Sequence, residues 1–211
     1  MEQMFPGMAK GIRAALGQSR SREGMNAKTD QSQHWITPGW LKDAVENLGG
    51  GRIDLDPCAG PQGSGNPVNA RYWYTEADDG LVKPWAIEGV RLVYVNPPYK
   101  EARAWKDKAL WESGLNHKLL IYFLGPAFTD QTWYHESLMH CGEEWSFKGR
   151  VRFLRPDGRP ATGPRFPSAL FAFGDSLWQG GEDISHARGR GGRIVLRGII
   201  EKPLDHRTGS P

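Results

Sequence analysis

The chain has 211 residues, with 27 Lys and Arg against 24 Asp and Glu and a net charge of +3. That length suits one domain with a full core plus loosely structured ends, and so near a balance of charge does not by itself point to a nucleic-acid partner. No apolar run approaches the ~20 residues of a membrane span, and the start lacks the apolar core of a signal peptide, so a cytoplasmic protein is expected. Cys58 and Cys141 have no metal-ligand spacing, and His135, His140 and Cys141 miss the helical i, i+4 pattern. Neither a structural disulfide nor a metal site is expected.

Residues 1–33 are polar, mixed in charge and without sustained periodicity, which reads as a flexible N-terminal arm. Pro38 to Leu48 reads as a short helix, with Thr37 as its cap, Pro38 in the first turn and Gly49-Gly50-Gly51 at its end. A strand over Ile53–Asp56 runs into a Gly- and Pro-rich loop from Pro57 to Gly65. Arg71–Thr75 is a second strand, and the apolar run Leu92–Val95 reads as a third, buried and parallel. A helix over Glu101–Ser113 is stopped by Gly114, and a strand over Lys118–Leu124 and a helix over Thr129–His140 follow. Val151–Leu154 and Ala169–Phe173 are predicted to close the sheet as an antiparallel hairpin. The Gly- and Arg-rich tail, 179–211, either adds one edge strand at its Ile194-Val195-Leu196 patch or stays loose, and its final portion reads as loose. Strands alternating with helices over 34–178 predict an α/β domain with a mostly parallel sheet. The nine Trp are scattered, as core aromatics are.

Asn96-Pro97-Pro98-Tyr99 follows the third strand directly. Open α/β sheets bind their ligands at the carboxyl ends of strands. Two prolines stiffen the turn and leave carbonyls that no neighbouring N–H claims, and Tyr99 adds a flat aromatic face. Acceptor, stiff turn and stacking platform together suit the holding of a planar amino-bearing group for attack at its nitrogen. An acceptor role at 96 also predicts that Asp would serve there. Between Lys148 and Arg165, the cations Lys148, Arg150, Arg152, Arg155, Arg159 and Arg165 stand against Asp157 alone, a local excess suited to phosphates.

The ordered set Trp35-Ile36-Thr37-Pro38, Asp54 to Gly60, Asp79-Gly80-Leu81, Trp85 and Asn96 to Tyr99, continuing through Gly149 to Phe153 and Ser168 to Gly174, resembles the amino-methyltransferases, and in particular the small phage-type DNA N-6 adenine methyltransferase family. The resemblance implies a Rossmann-like, S-adenosylmethionine-dependent fold and a site-specific, adenine-specific DNA methyltransferase of a phage or prophage. It implies that Asn96, Pro97 and Tyr99 are catalytic, with the flipped base on Tyr99. Thr37, Pro38, Asp56, Pro57, Cys58, Ala59 and Asp79 would hold S-adenosylmethionine, with Asp78 and Glu76 as rivals of Asp79. Pro98 and the basic residues Lys148, Arg150, Arg155, Arg159 and Arg165 would meet DNA. The sequence departs from the family's paired glycines, with Ala59-Gly60-Pro61 in their place. A glutamine methyltransferase acting on protein, a cytosine amino-methyltransferase and a non-catalytic nucleic-acid-binding protein on the same fold are the alternatives.

Overall fold

Seven strands hydrogen-bond in the order β2-β1-β3-β4-β6-β5-β7. They are β1 (Leu55–Asp56), β2 (Tyr72–Trp73), β3 (Leu92–Val95), β4 (Leu120–Pro126), β5 (Glu143–Phe147), β6 (Ser168–Gly174) and β7 (Leu196–Ile200). The computed structural model describes residues 35–61, 65–116, 118–161, 166–174 and 196–200. The arm over 1–33 and the tail beyond 200 lie outside the described residues. β2, β1, β3 and β4 pair in parallel, β6 runs antiparallel between β4 and β5, and β7 runs parallel along β5.

β3 and β4 are buried along their whole length, as strands covered on both faces are. Alternate residues feed two cores. Val93, Val95, Ile121, Phe123, Phe171 and Phe173 pack with α2 (Ala102–Leu115) and α3 (Thr132–His140) through Trp105, Ala109 and Tyr134. Leu92, Tyr94, Leu120, Tyr122, Leu124, Leu170 and Ala172 pack with α1 (Gly39–Gly49) through Leu41 and Val45, and with Val151 and Phe153. Burial of each large side chain, such as Phe123 or Phe171, contributes about 1.5–3 kcal/mol. Buried Lys106 meets Glu136 at 3.0 Å and so ties α2 to α3.

The end of α1 is as the glycines dictate. Gly50 takes the left-handed conformation (φ 68°), and the Gly51 N–H returns to the Glu46 carbonyl at 2.9 Å. Its start differs from expectation: Pro38 occupies the cap position, no side chain caps the helix, and Thr37 turns instead towards β3. Asp54 fastens β1 to β3, its Oδ2 accepting the N–H groups of Arg91 (3.0 Å) and Leu92 (2.9 Å). This fixes the register in which Leu55 faces Val93, so both strands deliver their carboxyl ends to one edge of the sheet.

The closing hairpin is formed by other residues than expected. β5, not Val151–Leu154, pairs with β6. Glu143 and Glu144 disguise it, because two adjacent carboxylates read as exposed. Both are buried and hydrogen-bonded: Glu143 accepts from Tyr122 and Trp145, Glu144 from Tyr134 and Ser146. Leu154 makes only isolated bridges, to Ile36 and Pro160. Of the patch at 194–196 only Leu196 lies among the described residues, and it opens β7.

Candidate active site at the carboxyl ends of β1 and β3

From β1 the sheet extends to β2 on one side and to β3 on the other, which opens a crevice at the carboxyl ends of β1 and β3. Asp56 is the last residue of β1, and Asn96 follows the last residue of β3.

The Asn96 side chain is oriented by acceptors. Its Nδ2 donates to the Trp35 carbonyl at 3.0 Å and to Thr37 Oγ1 at 3.3 Å. A carbonyl can only accept, so the amide nitrogen must point inward and Oδ1 outward. Among the described residues nothing donates to Oδ1. With Asp at 96, a carboxylate oxygen in the place of Nδ2 would face the Trp35 carbonyl, acceptor against acceptor, so that contact would have to rearrange.

The two prolines have different fates. The Pro98 carbonyl accepts the Glu101 N–H at 2.8 Å and starts the 3-10 turn Tyr99–Glu101. The carbonyl of buried Pro97 has no donor among the described residues, and it follows Asn96 directly. Tyr99 is held at its rim: its hydroxyl shares a 2.8 Å hydrogen bond with Ser168 Oγ, and burial pushes its acidity well below that of an ordinary phenol. Trp35 meets its ring edge-on, centroids 5.9 Å apart, and Phe166 lies at 6.5 Å with the planes tilted by 36°. A cavity of about 480 Å³ opens beside Tyr99, lined among others by Lys100, Arg103, Phe128 and Trp133.

Across the crevice, the loop after β1 meets the segment at 79–80. Gly80 packs so closely on Pro57 that an added Cβ would lie 1.9 Å from the Pro57 carbonyl oxygen, and Trp85 Nε1 donates to the Gly80 carbonyl at 2.7 Å. Pro57 is thereby brought against Gly80, the neighbour of Asp79. Asp78 and Asp79 differ plainly. Asp78 accepts from Lys83 Nζ (2.7 Å) and from the N–H and hydroxyl of Thr75, which lowers its pKa to about 2. Asp79 adopts a left-handed backbone (φ 54°), is exposed, and has no side-chain partner among the described residues. Glu76 is exposed as well.

Asp56 is buried, and desolvation raises its pKa to about 7 despite a hydrogen bond from the Cys58 N–H at 2.9 Å. Burial first, then the Asp56 charge, pushes the Cys58 thiol up, away from the reactive thiolate. Thr37 and Pro38 are buried beside Asn96, with Thr37 Oγ1 3.0 Å from the Tyr94 hydroxyl.

The basic segment reaches the same edge. Ile36 and Leu154 exchange backbone hydrogen bonds of 2.8 and 2.9 Å, and Phe153 stacks on Trp35 with centroids 5.3 Å apart. From Leu154 the chain turns at Arg155–Arg159, closed by the Arg155 N–H on the Arg159 carbonyl at 2.8 Å. Arg152, Arg155 and Arg159 are exposed, and their guanidinium groups have no partner among the described residues. Lys148 and Arg150 are exposed nearby in sequence, and Arg165 lies outside the described residues.

The model of the DNA N-6-adenine-methyltransferase (Dam) family matches residues 24–180. The chain belongs to that family. No curated protein and no solved structure matches it. Family membership supports a methyltransferase of DNA adenine, and DNA fits as its substrate. Among the described residues no helix is long and apolar enough to cross a membrane, and no three His, Cys, Asp or Glu residues gather as a metal site would require.

Sequence reasoning missed four participants in this family member's candidate site: the Trp35 carbonyl, the Tyr94 hydroxyl, Ser168 and Phe166. Ser168 lies 69 residues from the Tyr99 it holds, so no local pattern could have paired them.

The buried Asp56 makes stability depend on pH. Its carboxyl keeps a proton in the folded state up to about pH 7, whereas the unfolded chain releases it near 3.8. Its contribution is therefore favourable at low pH and falls as pH rises from about 4 to about 7, by up to about 4 kcal/mol. Asp56→Asn should remove this fall. Urea unfolding at pH 5 and pH 8 should show the variant gaining on the wild type at the higher pH, and an equal difference at both would contradict the assignment.

Proposed function

We propose that the chain transfers a methyl group from S-adenosylmethionine to the exocyclic amino nitrogen of adenine in DNA. The observation that carries this reading is the fixed Asn96 carboxamide, its Oδ1 open to the crevice next to the unclaimed Pro97 carbonyl. Two acceptors suit the two hydrogens of an amino group. Engaging both draws the nitrogen towards pyramidal geometry and frees a lone pair otherwise delocalised into the ring. Positioning and stabilisation of the charge that develops on nitrogen then suffice, with no strong base.

The strand order, with antiparallel β6 inserted between parallel neighbours, supports a Rossmann-like methyltransferase fold. The crevice residues suit the cofactor. Buried Asp56 lacks a cationic partner among the described residues, and S-adenosylmethionine carries an ammonium and a sulfonium. The unpartnered Asp79 carboxylate suits an adenine amino group, and the flush contact of Gly80 on Pro57 keeps the pocket wall thin. Pro57, Cys58, Ala59 and Pro38 complete the lining. When bound, the cofactor supplies an electrophilic methyl group.

Tyr99 offers the stacking face, and Phe166 lies beside it with centroids 6.5 Å apart and planes tilted by 36°. A flipped adenine held there regains stacking of roughly 1–3 kcal/mol, against the few kcal/mol of leaving the duplex. Pro98 borders this ring site. Lys148, Arg150, Arg155, Arg159 and Arg165 hold the phosphates.

Two variants should separate the two halves of the site. Asn96→Ala should lose about 2.7–4 kcal/mol of transition-state stabilisation while binding S-adenosylmethionine normally. Asp79→Ala should weaken the cofactor roughly ten- to hundredfold, the equivalent of about 1.5–3 kcal/mol. Single-turnover methyl transfer and calorimetry on both variants test this, and wild-type turnover in Asn96→Ala would remove Asn96 from the chemistry.

Replacing Arg155 and Arg159 together by Ala should weaken DNA of any sequence alike and reduce the salt slope by roughly one counterion per lost contact. A titration at several salt concentrations that returned the wild-type slope would take the turn out of the interface.

A further inference from the structure

We infer that Thr37 is a positioning residue for Asn96: its hydroxyl, gripped between Tyr94 and Asn96, locks the carboxamide so that Oδ1 and not Nδ2 faces the target amino group. The inference rests on the proposed reaction and adds to it a residue that acts through another.

A carboxamide has two ends of almost equal shape and opposite hydrogen-bonding character. Turned by half a rotation, Asn96 would present a donor to an amino group that also donates. The Trp35 carbonyl takes one hydrogen of Nδ2 at 3.0 Å, and Thr37 Oγ1 is the second acceptor, at 3.3 Å. With both hydrogens engaged, the amide is held by two contacts instead of one.

Thr37 is itself immobilised. It is buried, and its Oγ1 lies 3.0 Å from the Tyr94 hydroxyl. Tyr94 and Asn96 are two residues apart at the end of β3, and residues so spaced share one face of a strand. Both therefore reach the same segment, one on each side of Thr37. That segment is fastened in turn by the paired hydrogen bonds between Ile36 and Leu154. Two of the three hydrogen-bonding positions of the Thr37 hydroxyl are thus taken by Tyr94 and Asn96, which favours a role on the target side of the crevice over one as a direct ligand of the cofactor.

The test compares Thr37→Val, which keeps the shape and removes the hydroxyl, with Thr37→Ser, which keeps the hydroxyl, and with Tyr94→Phe. In folded Thr37→Val, methyl transfer to unmethylated DNA in a single turnover should slow roughly tenfold, as for one lost hydrogen bond, while the S-adenosylmethionine dissociation constant stays within about twofold. Thr37→Ser should restore most of the rate, and Tyr94→Phe should fall between. Independently of activity, the Asn96 side-chain NH₂ signals in a ¹H–¹⁵N spectrum, assigned by their loss in Asn96→Ala, should exchange with water roughly tenfold faster in Thr37→Val. Wild-type rate and exchange in Thr37→Val would overturn the inference. So would a rate loss matched by an equal loss of cofactor affinity, which would make Thr37 a cofactor ligand. Should the wild-type protein transfer no methyl group to DNA, the proposed reaction fails, and the exchange measurement still decides whether Thr37 holds Asn96.

Discussion

The hydrogen bond from the Asn96 side chain to the Trp35 carbonyl gives the site its polarity. Together with the contact to Thr37 Oγ1 it points Oδ1 outward. The bond exists because the segment at 35–38 crosses the end of β3, and the segment crosses there because Ile36 is paired with Leu154 and Trp35 is stacked on Phe153. One short length of chain therefore orients the acceptor, edges the Tyr99 ring and carries the basic turn at Arg155–Arg159 to the same side of the sheet. The proposed acceptor and the proposed DNA contact are joined through backbone pairing, not through the sheet alone.

Buried charge divides between structure and site. Asp54, Glu143 and Glu144 are supplied with donors and serve the sheet: Asp54 fastens β1 to β3, and the glutamates accept from hydroxyl and indole groups. Asp56, two residues beyond Asp54, receives one backbone N–H and little else, so its pKa rises to about 7. A buried carboxyl left so nearly unneutralised lowers stability near neutral pH, and such groups gather where a ligand completes them. Asp78 and Asp79 repeat the contrast at the surface, one engaged in its own turn and the other open.

The core strands β3, β4 and β6 were legible in the sequence, because continuous apolar runs of that length admit few other readings. Asn96 to Tyr99 stood out as a candidate because it follows such a run directly. β5 was not, since Glu143 and Glu144 look like surface residues until Tyr122 and Tyr134 are brought to them from other elements. Thr37 was misread as a helix cap for a similar reason: its partner Tyr94 lies 57 residues away. Local pattern reports what a residue can do, whereas the choice among its possible partners is made by packing.

The central claim, that the outward Oδ1 of Asn96 serves an adenine amino group, is tested most directly by product analysis. Purified protein is incubated with methyl-labelled S-adenosylmethionine and a mixture of unmethylated DNA and protein, and the labelled product is digested to nucleosides and amino acids. Label in N6-methyladenine is the predicted result. Label in methylcytosine or in methylglutamine, with none in adenine, would contradict the account.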